Sequence, residues 1–376
     1  MTYRCISIIM PVMQNSRLLK YLITIIIIVG LGTVSLYISI GDEVSSVADA
    51  LLSVKPGYLI VMLLLMLGYY IIDGMIMQVI SRQFYKDYSL KQGFVNNMVG
   101  ILFSDLTPSA TGGQFAQIYV FHNQGISGTA ASGILVMALI SYQIVIIVYA
   151  AISMILQSDY IFAGGLGTWV IAAVGFGVNI AVTVFLFVGS NSKKLQNFLI
   201  NRCIRLLATI HIIKDYKSTA KSLRSAFKEF RREAKALFAN KKLFFTTLLL
   251  NALKLTLLYS IPYFSFLSVG AELKLSRFPG LLALASAVTM FNTFMPIPGA
   301  SGGSEGSYML LYGHLGRSFA SSSMLIWRLV TFYMGLIMGI FIMILSKDAS
   351  GYHGQIIDET DDSSDDITDD TPDAID

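Results

Sequence analysis

Phe294–Tyr308 reads FMPIPGASGGSEGSY, and the rest of the chain is organised around it. It lies between apolar segments, yet it carries two prolines, four glycines and a glutamate. Irregular backbone of this kind cannot face lipid, because hydrocarbon offers no partner to its N–H and C=O groups. It must be buried in protein or line a wet cavity. Leu106–Gln114, LTPSATGGQ, repeats the pattern: Pro108 aligns with Pro298, Ala110 with Ala300, Thr111 with Ser301, Gly112 with Gly302 and Gly113 with Gly303. Broken apolar segments at matching places in two halves point to a transporter's binding site.

Composition agrees with a membrane setting. Hydrophobic residues make up 55% of the 376 and charged residues 13%, about half the charged share of an ordinary soluble domain. Cys5 and Cys203 are far apart, and His122, His211, His314 and His353 are scattered, so neither a disulfide framework nor a metal site is expected. The glycine pairs lack any nucleotide-binding context, and no cofactor is expected. The net charge of +4 hides segregation: Ser190–Lys242 holds fourteen Lys/Arg against three acids, and eleven acids follow Lys347.

An apolar run from Tyr21 to Ile40 follows Arg4, Arg17 and Lys20; it is long for a signal peptide and reads as a span with a cytoplasmic N-terminus. Further spans are expected at Gly57–Ile80, Thr129–Leu156, Ile161–Gly189, Leu243–Val269 and Ala320–Leu345. Reading Phe94–Phe121 as a re-entrant hairpin places the basic block inside, as the positive-inside rule asks, whereas a single span would place it outside. Phe278–Tyr312 then forms a second hairpin entering from the opposite face. The expected fold is an all-α integral membrane protein with about six transmembrane helices and two opposed re-entrant hairpins, compatible with an inverted repeat. Its parts are a first half (1–189), a basic connector (190–242), a second half (243–347) and a disordered acidic tail (348–376). In the connector Leu223, Phe227, Phe230, Ala234 and Leu237 form one apolar stripe amid lysines and arginines, which suits either docking on an anionic leaflet or a plain connecting helix.

Five ionisable residues fall inside apolar segments: Asp73, Asp105, Lys254, Glu305 and Arg328. Such residues usually face a bundle interior or a cavity, since a charge at a helix centre costs about 2.5–3.5 kcal/mol on insertion scales. Glu305 follows Gly302-Gly303 where a helix would begin, a position its charge favours. Two readings remain open there. Glu305 and Arg328 form a buried structural pair, or Arg328 and Lys254 draw in an anionic headgroup while Glu305 or Asp73 meets a cationic group. Asp105 is expected to cap a helix or to join that site; Ser301 and Ser304 read as helix caps. With Thr111, Gly112, Gly113, Gln114, Gly302 and Gly303, these residues make up the candidate translocation site. Trp169 and Tyr69-Tyr70 read as interfacial or packing aromatics.

TPSATGGQ (Thr107–Gln114), PIPGASGGSEG (Pro296–Gly306) and WRLVTFY (Trp327–Tyr333) resemble the lysylphosphatidylglycerol synthase transmembrane-region family. That family includes the flippase part of the bacterial multiple peptide resistance factor. The resemblance, over about Lys20–Lys347, implies a multi-pass bacterial plasma-membrane protein. It implies export of aminoacylated phosphatidylglycerol to the outer leaflet and so resistance to cationic antimicrobial peptides. Full-length members also carry a soluble synthase domain, which the residues after Lys347 are too few to form. A separate synthase chain or a second copy is therefore an expected partner; nucleic acid is not. Two rivals stay open: a scaffold for that synthase, and transport of another anionic lipid.

Overall fold

The computed structural model describes residues 54–192, 216–293, 295 and 297–350. The span expected at Tyr21–Ile40, both cysteines, part of the basic block and the acidic tail beyond Ser350 lie outside them, and the first residues of the expected disordered tail are helical. Among the described residues the fold is all-α, with helices α1 (Pro56–Ser81), α2 (Leu90–Leu106), α3 (Thr111–Asn123), α4 (Gly128–Leu156), α5 (Ser158–Ala163), α6 (Gly165–Asn191), α7 (Tyr216–Ala239), α8 (Lys241–Ser268), α9 (Phe278–Asn292), α10 (Gly303–Tyr312), α11 (Arg317–Arg328), α12 (Met334–Leu345) and α13 (Lys347–Ser350). A π turn, Leu329–Tyr333, joins α11 to α12. Five of these stretches are long and apolar enough to cross a membrane: α1, α4, α6 through Val188, α8, and the run Arg317–Leu345. They match the five expected spans that fall within the described residues.

Local chemistry sets the helix starts. Ser89 accepts from the Gln92 N–H at 3.2 Å while Gln92 Oε1 accepts from the Ser89 N–H at 2.9 Å, a reciprocal cap that opens α2 beyond a polar turn. Asn240 Oδ1 accepts from the Leu243 N–H at 3.1 Å and opens α8.

The central pair is α1 against α8, which run antiparallel. The Lys55 N–H donates to Ser268 O at 3.0 Å at one end, and Asn240 Nδ2 donates to Gln83 Oε1 at 2.9 Å at the other. This fixes where each broken segment begins. The first hairpin (α2–α3) leaves from the Gln83 end, where the Tyr88 hydroxyl at its base donates to Gln124 Oε1 at 2.8 Å. The second (α9–α10) leaves from the Ser268 end. The hairpins therefore enter from opposite ends of the bundle, and their tips, Pro108–Ala110 and Pro298–Ala300, pack against each other.

The tips share a backbone as well as a sequence. Ser109 and Ala110 have φ of +53° and +54°, and Gly299 and Ala300 have +59° and +51°. Left-handed residues without glycine cost roughly 1–2 kcal/mol each and persist only where surroundings enforce them. The alignment of Pro108 with Pro298 thus holds in conformation. Gly113 lets the first hairpin close, since a Cβ there would sit 2.6 Å from Gly100 O.

The stripe on α7 has a different partner from the leaflet considered above. Phe227, Phe230, Ala234 and Leu237 are buried against protein. Phe227 meets Phe185 edge-on at 6.0 Å, and Phe230 meets Phe187 at 5.3 Å. Helices α4 and α6 cover the stripe, so it is not free to enter lipid; the exposed face carries Lys221, Arg224, Lys228, Arg231, Arg232 and Lys235.

Candidate functional site

The residues singled out in the sequence separate into two buried polar clusters. The first surrounds a cavity of about 240 Å³ between α1, the first hairpin, α4 and α8. Asp73 and Lys254 meet here at 2.7 Å across the α1–α8 seam, with side-chain exposures of 12% and 7%. Lys254 Nζ also lies 4.8 Å from the Tyr142 ring centroid and 5.5 Å from that of Tyr69. Gln114 lines the same cavity, as do Asn97, Gln117 and Asn251. Asn251 is 1% exposed and Asn97 3% exposed, yet among the described residues Asn251 Oδ1 and Asn97 Nδ2 have no hydrogen-bond partner. Buried amides of this kind are normally paired; these two atoms are closed off from water-sized contact, although their residues line the cavity.

The second cluster ties the second hairpin to the last span. Arg328 Nε donates to Glu305 Oε1 at 2.7 Å, and Arg328 Nη2 donates to Gly299 O at 3.2 Å and to Ser301 Oγ at 3.4 Å. The other oxygen, Glu305 Oε2, accepts from the Gly302 N–H at 2.6 Å. One carboxylate therefore closes the first turn of α10 and holds α11 against the tip. The guanidinium carbon also lies 4.6 Å from the Phe332 ring centroid, a cation–π contact. The carboxylate also lies at the start of α10, the end of a helix whose dipole favours negative charge.

Three expectations change. Asp105 caps no helix: it sits in the last turn of α2, and its Oδ2 lies 3.7 Å from where a Cβ on Gly335 would stand. Thr107 does that work, its Oγ1 accepting from the Gly112 N–H at 2.8 Å and donating to Phe103 O at 2.7 Å. At the second tip, Glu305 closes the helix start in place of Ser301 and Ser304; Ser301 turns to Arg328 and Ser304 is buried. Tyr69, read as packing or interfacial, lines the cavity, whereas Trp169 is half-exposed.

Gly302 and Gly303 form the turn into α10, and Gly302 needs its φ of +82°. Thr111, at the start of α3, is exposed. Asp73 and Lys254 stand 181 positions apart, and their pairing was not foreseen. Asn97, Asn251, Gln117 and Tyr142 were missed as well. An Asn-Asn pair inside an apolar hairpin was the available signal, because buried amides in a membrane bundle seek partners across helices.

Comparison with known families agrees with this architecture. The family described as the lysylphosphatidylglycerol synthase TM region matches residues 21–339. The chain belongs to that family and is a multi-pass membrane protein with a role in lysylphosphatidylglycerol metabolism. No curated protein matches it.

Proposed function

We propose that this protein is a lipid flippase that carries aminoacylated phosphatidylglycerol to the outer leaflet of a bacterial plasma membrane. The observation that carries the reading is the meeting of two broken hairpins from opposite ends, beside a polar cavity inside the bundle. Opposed broken segments that meet mid-bundle let a headgroup cross between two rearrangements of the halves instead of through an open pore. In this reading residues 1–189 and 243–347 form an inverted repeat, 190–242 is a cytoplasmic connector, and 348–376 is a cytoplasmic tail. Both termini are cytoplasmic.

Each cluster has a part in the cycle. Asp73 and Lys254 face the cavity and meet the charges of the headgroup. Glu305 and Arg328 hold the second tip in place, and Asp105, Thr111, Gly112 and Gly113 shape the first. Moving charge through such a bundle without compensation is costly, and paired acidic and basic groups supply that compensation. Exposed amines open to impermeant reagents, and resistance to cationic peptides from the added positive charge, would follow outside.

The test uses cells lacking their own family member and supplied with a free-standing synthase domain. Surface amines are labelled with a membrane-impermeant reagent, and total lysyl-lipid is measured in the same extract, with and without this chain. Flippase action raises the labelled fraction at constant total; an unchanged fraction refutes it. The synthase in the family's description favours a second reading, a membrane partner for lipid synthesis, and a rise in total lipid would select it.

A further inference from the structure

The cavity already holds an ammonium, and it is the protein's own. Lys254 reaches from α8 to place Nζ 2.7 Å from Asp73 Oδ1 on α1, between the faces of Tyr142 and Tyr69. A carboxylate flanked by aromatic faces is a general receptor for alkylammonium ions. The stem of lysine is itself a primary alkylamine, so the contacts around Nζ are those a ligand's ammonium would make.

The surroundings contain more polarity than this pair uses. Asn251 Nδ2 donates to Thr247 O at 2.9 Å and to Ser141 Oγ at 3.3 Å, which fixes its amide, and Oδ1 has no partner among the described residues. Asn97 Nδ2 likewise has no partner among the described residues. Both residues are more than nine-tenths buried.

We propose, resting on the transport reading above, that this cavity is an exchange site for headgroups that join a primary ammonium to a phosphodiester. The incoming ammonium replaces Lys254 at Asp73, and the released Lys254 turns to the phosphate. Charge selects the ligand. Asp73 with Lys254 sums to zero, and one ammonium with one phosphate also sums to zero, so these four groups stay paired in the bound state; the second ammonium of a lysyl headgroup lies outside this exchange. A headgroup bearing phosphate alone would take Lys254 and leave Asp73 buried and unpaired, which low-dielectric surroundings penalise strongly. Lys254 is thus a tethered competitor, present at the high effective concentration of an intramolecular group. It admits only ligands that offer both charges together.

The exchange is tested on the purified full chain in detergent, with n-butylammonium as the probe and thermal unfolding as the readout. Lys254→Ala empties the ammonium position. Butylammonium should stabilise this variant saturably; at ten times its Kd the folded-to-unfolded ratio rises about elevenfold. The wild type and the Asp73→Asn/Lys254→Ala double variant should not respond. An equal response in all three, or none in Lys254→Ala, overturns the proposal. A second arm avoids dependence on that variant's folding: the wild type should bind monomeric dihexanoyl phosphatidylethanolamine at least tenfold more tightly than dihexanoyl phosphatidylglycerol, and equal binding overturns the proposal. No lipid crosses a bilayer in either arm. Failure of the labelling assay with these responses intact would therefore count against transport and not against the site.

Discussion

Replacing Glu305 by Gln and Arg328 by Gln, singly and together, tests the clamp at the second tip. The two side chains are 3% and 7% exposed, so solvent screens little of their interaction. Removing one partner of such a buried pair leaves an uncompensated charge and costs about 3–5 kcal/mol. The Glu305 change is instructive because a glutamine keeps the shape. The carboxylate uses one oxygen for Arg328 Nε and the other for the Gly302 N–H. A glutamine has one acceptor oxygen, so one of the two donors would then face an NH₂ group. The double variant removes both charges together, and its loss should fall short of the summed single losses by about 2–3 kcal/mol. The assay is reversible unfolding by SDS in mixed micelles, extrapolated linearly. Trp327 is the reporter, because it adjoins Arg328 and stacks on Tyr308 at 4.9 Å; Trp169→Phe removes the other tryptophan. Losses that add within about 0.5 kcal/mol would refute the clamp. So would single losses below about 1 kcal/mol.

Thr107→Val should cost about 1 kcal/mol by removing the bond to the Gly112 N–H, and Asp105→Asn should not reproduce a loss of cap; the same unfolding assay separates them. Gly113→Val forces α3 away from Gly100 O, and should destabilise the first hairpin by about 1–3 kcal/mol, read as faster proteolysis between residues 106 and 112. Phe230→Ala empties a site packed on Phe187 and should cost about 3–5 kcal/mol, seen as new reactivity of a cysteine introduced at position 234; an unreactive cysteine would mean that α7 stays docked without that ring.

The sequence exposed those parts of the fold that are costly in hydrocarbon. Proline and glycine inside apolar segments marked both tips, and the isolated charges marked Glu305 and Arg328, which lie close enough in the chain for their pairing to be imagined. Lys254 and Asp73 offered the same cue singly. Their partnership depends on the register of α1 against α8, a long-range packing property that neither segment encodes alone. Of the two readings of Asp105, the cap fails because a cap depends on where α2 stops, and Thr107, one residue before the proline, takes both ends of that turn. The stripe on α7 was visible as a 3.6-residue period, but periodicity states that a face is covered and not by what. Here Phe185 and Phe187 cover it, where lipid was the alternative.

The π turn at Leu329–Tyr333 bears on how the last span counts its residues. Upstream, Arg328 must face the second tip; downstream, Gly335 and Gly339 must face α1 and α2, where a Cβ would meet Tyr70 Oη at 2.9 Å and Leu102 Cβ at 2.8 Å. A wide turn absorbs one residue beyond the α-helical count. Without it, every later side chain would be rotated by about 100°, and bulkier neighbours would press on α2. The two faces are therefore held in separate phases, with the surplus residue stored between them. Deleting one residue from within the turn should restore a regular helix and keep both faces in phase. Deleting one between Gly335 and Gly339 should rotate Gly339 off its partner and open the seam. In this span, the position of a deletion matters more than its size.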